Sequence, residues 1–171
     1  VYLGSADPDV YGGIQNTFNI HNFTLGIYFN YSIGGKIYNV AELWMGSGSS
    51  MTNQYRYMLD AWHPVRNPDS NIPRAGAKSD AALPSDFMIH DASYLRLKNI
   101  TLSYTFDLRK KCSWVKDLTV SVSGENLYLW KKYNGFDPDV SSEGTSSTLR
   151  RMDLGAYPKP RTIIFSLQLR Y

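Results

Sequence analysis

The feature that most constrains this chain is a two-residue alternation of apolar and polar side chains, which recurs in five segments. Residues 23–33 show it most clearly, because all six odd positions there are Phe, Leu, Ile or Tyr. Successive side chains of a strand point to opposite faces, so the pattern predicts strands with one apolar face. The predicted strands are 14–21, 23–33, 94–106, 118–130 and 162–171.

The third predicted strand changes phase along its length. Leu95 and Leu97 are apolar at odd positions, whereas Ile100 and Leu102 are apolar at even positions. A shift of one residue moves every following side chain to the other face. The change predicts either a β-bulge or a strand that continues beyond the part of the sheet in which one face has to be apolar.

The connections between the predicted strands differ in length. Two residues, His21 and Asn22, join the first pair, and residues 107–117 join the third and fourth strands. The segments 34–93 and 131–160 are long, and in an up-and-down sheet both would lie at the same end. Loops of this length usually carry function. Apolar residues three and four apart in 51–62 predict a short helix inside the first long loop.

Composition narrows the class of protein. The chain has 171 residues, of which 43% are hydrophobic, which is too many for a disordered segment. The longest apolar run is Leu127 to Trp130, far short of the roughly 20 residues of a transmembrane helix. The net charge of +3 favours no nucleic-acid partner, and one cysteine, Cys112, excludes an internal disulfide framework. The absence of an initial Met favours a truncated product.

Two architectures fit the alternation. A soluble β-sandwich also has one apolar and one polar face, because one side of each sheet meets water. An outer-membrane barrel adds short turns at one end, long loops at the other and aromatic residues at both borders of its apolar band. Aromatic residues do lie toward the predicted strand ends, and they favour the barrel: Phe23, Phe29, Tyr31, Tyr104, Phe106, Tyr128, Trp130 and Tyr171.

Five motifs then resemble one protein family. Residues 93–104 read SYLRLKNITLSY and resemble the SYLRLKNITLGY segment of SusC/RagA-like TonB-dependent outer-membrane transporters. Four further pieces resemble that family in the same order: PDVYGG at 8–13, SGENL at 123–127, YNGFDPDV at 133–140 and YPKPRT at 157–162. Together the motifs span nearly the whole chain.

The resemblance implies an all-β fold, an antiparallel up-and-down transmembrane β-barrel segment with long extracellular loops, one holding a short helix. Residues 1–171 are expected to be the C-terminal portion of a 22-stranded barrel in the cell outer membrane, with plug domain and N-terminal strands outside the sequence. The implied function is TonB-dependent import of glycans or peptides, with no catalysis and no cofactor. The alternatives are a soluble all-β carbohydrate- or protein-binding module and a structural or adhesion role with the loops as ligand.

The resemblance also implies partners and site residues. Expected partners are a SusD-like surface lipoprotein, the TonB complex through the plug, outer-membrane lipid, the glycan or peptide substrate and the barrel assembly machinery. That machinery is expected to recognise the last strand by its alternating apolar residues and final aromatic residue: Ile163, Phe165, Leu167, Leu169 and Tyr171.

Aromatic residues of the first long loop are candidates for substrate or partner contact, because a ring face suits the apolar face of a sugar. These residues are Trp44, Tyr55, Tyr57 and Trp62. The alternative is that a helical stripe of Tyr55, Met58, Leu59 and Trp62 packs onto the loop's own core.

Other polar clusters are ambiguous. Asp7-Pro8-Asp9 and Asp137-Pro138-Asp139 contain possible Ca²⁺ ligands, but Asp-Pro is also a common turn starter, which we favour. The pairs His63 with Asp60 and His90 with Asp91 would have to converge to bind a metal, so water-exposed histidines are predicted instead. Arg109, Lys110 and Lys111 could activate Cys112, although a thiol without function is favoured. Basic residues at 131–132, 150–151 and 161 are predicted either to meet lipopolysaccharide phosphates or to be solvated.

Overall fold

The computed structural model describes residues 2–49, 51–76, 85–109, 114–142 and 150–171. The chain divides into two compact units. The first, here called the sheet unit, comprises Asp9–Ile33, Ser93–Lys131 and Lys159–Tyr171. The second, called the loop unit, comprises Val1–Pro8, Gly34–Ala92 and Lys132–Pro158.

Eight strands are formed by the described residues. They are β1 (Val10–Ile20), β2 (Phe23–Ile33), β3 (Lys36–Asn39), β4 (Ile89–Asp91), β5 (Tyr94–Asp107), β6 (Asp117–Lys131), β7 (Met152–Asp153) and β8 (Thr162–Arg170). The sheet unit contains five of them in the order β1-β2-β5-β6-β8, and every neighbouring pair is antiparallel. The five predicted strands and the up-and-down order are thus confirmed, although β1 begins at Val10 rather than at residue 14.

The register of the sheet separates an apolar face from a polar one. One row across all five strands is apolar: Phe18, Leu25, Leu102, Val122 and Phe165. The adjacent row, on the opposite face, is polar: Asn19, Thr24, Ser103, Ser121 and Ser166. The apolar side chains are not covered by a second layer within the sheet unit, since Phe165 is 82% exposed.

The phase change in β5 is a β-bulge, as the first of the two sequence interpretations predicts. The ladders shift register between Tyr28 and Phe29 and again between Leu97 and Asn99. Leu97 therefore pairs with Phe29 and remains on the apolar face with Ile100. On β6 the irregularity places Asn126 at a φ of 51°, a left-handed conformation that asparagine tolerates better than most residues.

The loop unit is built on a small second sheet that the alternation pattern does not predict. Its order is β4-β3-β7, with β3 antiparallel to β4 and parallel to β7. Ile37, Ala92 and Tyr133 form its buried core, and Val140 packs against them. Gly35 has a φ of 76° and lies so close to residues 6 and 7 that a Cβ would be 3.0 Å from the carbonyl oxygens of Ala6 and Asp7. The start of the chain is thereby packed against the strand that follows β2.

The loop does contain a short helix, but not the one predicted at 51–62. The α-helix α1 spans Ala41–Met45, whereas the predicted segment forms a 3-10 helix at Arg56–Asp60, and a second 3-10 helix covers Asp86–Met88. The helix over 51–62 fails because Tyr55 is extended, with a ψ of 144°, and its N–H donates to the Met45 carbonyl at 2.7 Å. Among the described residues, no helix has the length and apolar character needed to span a membrane.

Candidate binding surfaces

The apolar face of the sheet unit is bordered by two groups of aromatic rings. Near the β1–β2 turn, Tyr104 lies 4.5 Å from both Phe23 and Phe106, measured between ring centroids. Toward the other end of the strands, Trp130 lies 4.5 Å from Tyr128 and 6.4 Å from Phe29. The aromatic residues at the strand ends therefore gather at both borders of one continuous apolar band.

The apolar residues predicted to form the assembly signal share this face. Ile163, Phe165, Leu167 and Leu169 are opposite the even residues of β6, and each is mostly exposed. Tyr171 follows the last residue of β8 and is also exposed, while its backbone carbonyl accepts a hydrogen bond from Lys116 Nζ at 3.3 Å. The residues predicted to form the assembly signal thus form an exposed stripe.

The four aromatic residues proposed for ligand contact differ in exposure and in packing within the loop unit. Tyr55 and Tyr57 stack with ring centroids 5.5 Å apart and planes 12° apart, and the Tyr57 ring also meets the edge of Phe87. Trp44 is half exposed. Trp62 is 37% exposed and its indole N–H donates to the Pro68 carbonyl at 3.0 Å.

Tyr57 is packed into the loop unit. Gly46 lies under its hydroxyl, because a Cβ at that position would collide with Tyr57 Oη. Burial raises the pKa of Tyr57, and the nearby Glu42 carboxylate raises it further. The pKa of Tyr55 is also raised, first by burial and then by Glu42. Tyr55 fits the interpretation in which its stripe packs on the loop's own core, and Tyr57, which was not part of that stripe, packs there as well.

Trp62 borders a pocket of about 410 Å³, which we call the Trp62 pocket. It is lined by Met58, Leu59, Ala61, Trp62, His63, Arg66, Asn67, Arg74 and Ala75. The described residues that line it thus combine an indole ring, two guanidinium groups and an amide. Sequence spacing does not reveal this pocket, because Arg74 reaches it only through the folding of the loop.

A hydrogen-bonded turn holds one wall of this pocket. His63 and Asn67 exchange backbone hydrogen bonds of 3.3 and 3.1 Å. His63 Nδ1 also accepts from the backbone N–H groups of Val65 and Arg66, both at 3.2 Å. The histidine predicted to be a water-exposed loop residue is therefore a partly buried structural element of a turn.

Glu42 and His90 form a largely buried polar pair in the loop unit. His90 Nε2 is 2.6 Å from Glu42 Oε2, and the Glu42 side chain is almost fully buried. His90 thus pairs with Glu42 rather than with its neighbour Asp91, which lies 3.9 Å from Lys132 Nζ. The partner is 48 residues away in the chain, so spacing gives no sign of it.

A second polar contact joins two parts of the loop unit. Tyr133 Oη donates to Asp153 Oδ2 at 2.7 Å, and Asp153 Oδ1 accepts from the backbone N–H groups of Gly155 and Ala156. Burial raises the pKa of Tyr133, and the hydrogen bond to Asp153 adds to that rise. The phenol is accordingly held in its neutral, donating form.

The possible ligands of a metal are engaged in structural contacts. Asp137 Oδ1 accepts from Asp139 N–H at 2.9 Å, which supports the turn interpretation of that segment. Asp7 accepts from Arg150 Nη1 at 2.8 and 3.1 Å. Within the described ranges no three His, Cys, Asp or Glu side chains converge as a metal site would require. Cys112 lies outside the described residues.

Comparison with known proteins gives matches along the whole chain, although no protein-family model matches it. TonB-dependent receptor P26 of Formosa agariphila is 32% identical over 176 residues, covering 100% of this chain and 18% of that receptor. TonB-dependent receptor SusC of Bacteroides thetaiotaomicron is 27% identical and covers 95% of this chain and 15% of SusC. The chain thus spans less than a fifth of the receptors it matches.

The fold comparison agrees with the sequence comparison. The RagAB peptide importer in its open-open state superposes with a TM-score of 0.81 over 98% of this chain and 18% of the importer chain, at 23% identity. The closed-closed state of the same importer gives a TM-score of 0.80 over 97% of this chain. These matches confirm the family resemblance and the barrel-type fold. In sequence the chain is thus similar to one segment of the TonB-dependent receptors P26 and SusC, and in fold to one segment of the RagAB peptide importer.

Proposed function

We propose that this chain forms the C-terminal wall and outer loops of a TonB-dependent importer in the outer membrane. The observation that carries the proposal is the five-residue apolar row across the sheet unit, which lies on an exposed face between two groups of aromatic rings. An exposed apolar face of this kind would be costly in water and is what a lipid-facing barrel wall requires.

The dimensions of the sheet support this proposal. The apolar face of β6 begins at Leu118 and ends at Trp130, with Gly124 and the bulge at Asn126 between its apolar residues. At about 3.3 Å per residue and a tilt of about 40°, that length corresponds to roughly 30 Å along the barrel axis. The hydrocarbon core of a bilayer has about the same thickness.

Further strands complete the wall in this proposal. In the part of the chain described here, β1 and β8 each have a neighbour on one side of the sheet. An open strand edge in hydrocarbon costs several kcal/mol for each unsatisfied backbone group. Strands from the rest of the complete receptor are the natural partners, and the plug they enclose would receive the TonB complex.

We also propose that the barrel assembly machinery recognises the exposed apolar residues of β8 together with Tyr171.

The activity we propose is import without covalent chemistry. A glycan or peptide binds in a vestibule to which the loop unit contributes, a SusD-like surface lipoprotein covers it, and TonB displaces the plug to admit it. The named relatives support this, since they are receptors and a peptide importer.

The test uses cells that produce the complete receptor. Accumulation of labelled oligosaccharides and labelled casein peptides is measured in cells with the receptor, without it, and with the receptor but without TonB. The proposal expects accumulation of at least one probe only when both proteins are present. A receptor-dependent signal that persists without TonB would contradict energised import.

The alternative of a soluble carbohydrate- or protein-binding module is tested separately. The complete protein is fractionated and kept with or without detergent. A wall segment requires detergent to remain monodisperse, whereas a soluble module does not. Monodisperse protein in detergent-free buffer would favour the module.

A further inference from the structure

Tyr28 lies on the polar face of the sheet unit, within a row that crosses all five strands. The row consists of Gln15, Tyr28, Asn99, Glu125 and Thr162, which are paired directly across neighbouring strands. In the barrel proposed above, this face points into the interior through which a ligand passes. We propose that these five residues, here called the Tyr28 row, bind one sugar unit of a neutral oligosaccharide. The inference rests on the proposed import function and adds a binding site on the wall.

The Tyr28 ring is held against the backbone of the neighbouring strand. A Cβ at Gly13 of β1 would lie 2.8 Å from both Cε2 and Oη of Tyr28, so the glycine makes room for the ring. Tyr28 nevertheless remains 36% exposed. A tyrosine in a fixed position offers a large contact surface and loses little conformational entropy on binding. The ring is therefore suited to stack on the apolar C–H face of a sugar.

Gly26 leaves a gap beside the ring. It precedes Tyr28 by two residues on β2, so both lie on the polar face. Among the described residues, and apart from its chain neighbours, the nearest heavy atom to a Cβ at Gly26 is the Thr101 carbonyl oxygen at 4.0 Å. Thr17 and Thr101 pair with Gly26 from its two sides, so side chains with hydroxyl groups border the gap. A ligand can thus approach the backbone while it contacts the ring.

The polar members of the row suit the hydroxyl groups of a sugar. Gln15 and Asn99 are the cross-strand neighbours of Tyr28, and such neighbours lie about 5 Å apart, so a single sugar unit can contact the ring and an amide together. Thr101 Oγ1 donates to Asn99 Oδ1 at 3.0 Å, which holds that amide in place. Amides both donate and accept hydrogen bonds, and the exposed Glu125 carboxylate accepts them. Sugar hydroxyl groups can satisfy all of these groups.

The charge of the row favours a neutral ligand. Glu125 is its single charged residue, and a carboxylate repels a ligand that carries acidic groups. Lys98, which precedes the β5 member of the row, donates to Asn126 Oδ1 at 3.2 Å. We therefore expect the site to discriminate against acidic sugars.

Saturation-transfer NMR with the complete receptor in detergent tests the inference, because it detects weak binding and reports which ligand protons contact the protein. The probes are cellohexaose, xylohexaose and mannohexaose, with hexagalacturonate as an acidic sugar and a hexapeptide of serine and glycine as a neutral peptide. Heat-modifiable migration on gels verifies that each variant is folded.

Two variants change the site and one serves as a matched control. Tyr28→Leu removes the ring, and Gly26→Val fills the gap without backbone strain, because Gly26 has an ordinary strand conformation. The control is Tyr31→Leu. Tyr31 also covers a glycine of β1, since a Cβ at Gly12 would lie 2.9 Å from Tyr31 Oη, but it lies on the apolar face.

We expect at least one neutral hexasaccharide to bind the wild-type protein, with the strongest saturation on the C–H protons of one sugar face. Tyr28→Leu should weaken this binding about five- to tenfold, as the loss of one stacking contact predicts. Gly26→Val should weaken it about as much, whereas Tyr31→Leu should bind like wild type. Hexagalacturonate should bind more weakly than the neutral sugar.

The inference is overturned if no neutral hexasaccharide binds, or if both site variants bind like wild type. Tighter binding of the peptide or of hexagalacturonate, lost in both site variants, also overturns it in favour of that ligand class. Unchanged sugar binding, together with vancomycin sensitivity of variant cells that lack TonB, would instead show that the row contacts the plug. Gly26→Val provides the test even if Tyr28→Leu does not fold. TonB-dependent uptake of any probe would leave the proposed function intact in each case.

Discussion

The sheet unit exposes many of its apolar side chains, whereas the loop unit buries its apolar core. The sheet unit displays a row of aliphatic and aromatic residues on an exposed face, with Phe165 82% exposed. The loop unit instead buries a compact cluster of Ile37, Ala92 and Tyr133, and it places polar pairs such as Glu42 with His90 beside that cluster. The first arrangement depends on an apolar solvent, whereas the second is stabilised by specific contacts within the protein. We therefore expect that a mutation can destabilise one unit and leave the other folded.

The largest effect is expected for Val122→Arg, in the centre of the apolar row. Arginine at the lipid face near the bilayer midplane costs about 2–4 kcal/mol. Assembly, measured by heat-modifiable migration of the complete receptor, should fall sharply. Ser121→Arg is the matched control because it lies one residue away on the opposite face, where Ser103 and Ser166 flank it. Equal loss in both variants would contradict the assignment of the two faces.

A smaller effect, confined to the loop unit, is expected for His90→Ala. The substitution leaves the buried Glu42 carboxylate without its histidine, at a cost of about 1–3 kcal/mol. Limited proteolysis should cut the loop unit faster while the barrel keeps its heat-modifiable migration. The control Lys132→Ala removes an exposed, 3.9 Å contact with Asp91 and should change little. Loss of barrel migration in His90→Ala would show that the two units are not separable.

Tyr133→Phe tests the second polar contact and should destabilise the loop unit by about 1 kcal/mol. The raised pKa of Tyr133 means that the folded state keeps the phenol protonated, whereas the unfolded phenol ionises near pH 10. The stabilisation is thus complete below about pH 10 and is lost as the pH rises above it.

Proteolysis across an alkaline pH series provides the measurement. In the wild-type protein, proteolysis of the loop unit should become faster above about pH 10. In Tyr133→Phe the loop unit should already be cut faster at lower pH, and the further increase above pH 10 should be smaller. An identical pH dependence in both proteins would exclude Tyr133 as a contributor. The raised pKa values of Tyr55 and Tyr57 account for the loss that remains in the variant.

The smallest effect is expected at the bulge of the sheet unit. Asn126 has a φ of 51°, accepts from Lys98 Nζ at 3.2 Å and donates to the Pro160 carbonyl at 3.2 Å. Asn126→Gly loses these hydrogen bonds, but glycine adopts a positive φ without strain. The free energy of unfolding should therefore change by less than about 1 kcal/mol. Asn126→Ala should be less stable than Asn126→Gly by about 1 kcal/mol, because alanine is strained at positive φ. Urea titration of barrel migration ranks the two, and a more stable alanine variant would contradict this.

The sequence predicts the sheet unit much better than the loop unit, for physical reasons. β2 is found at Phe23–Ile33 as predicted, because each of its faces meets one uniform environment and the alternation is complete. The phase change between Leu97 and Ile100 left two interpretations open, of which the structure shows the bulge. Strands as short as β3 and β7 carry too few residues for a period to be detected.

The candidate site depends on contacts that periodicity does not encode. The helical spacing of Tyr55, Met58 and Trp62 suggested a helix, but Tyr55 bonds to Met45 instead and the loop folds around the Trp62 pocket. Pairing of His90 with Glu42 spans 48 residues. The family resemblance could be predicted because its motifs are local and lie in a fixed order.

The assembly of the loop unit from three separate stretches of chain limits how such receptors can be re-engineered. Arg150 holds Asp7 across 143 residues, and the core residues Ile37 and Tyr133 come from different stretches. In a chimera that takes a single loop from a relative, one residue of each such contact would come from this chain and the other from the relative. Transplanting the loop unit therefore requires all three stretches to be grafted together, because its contacts are shared among them.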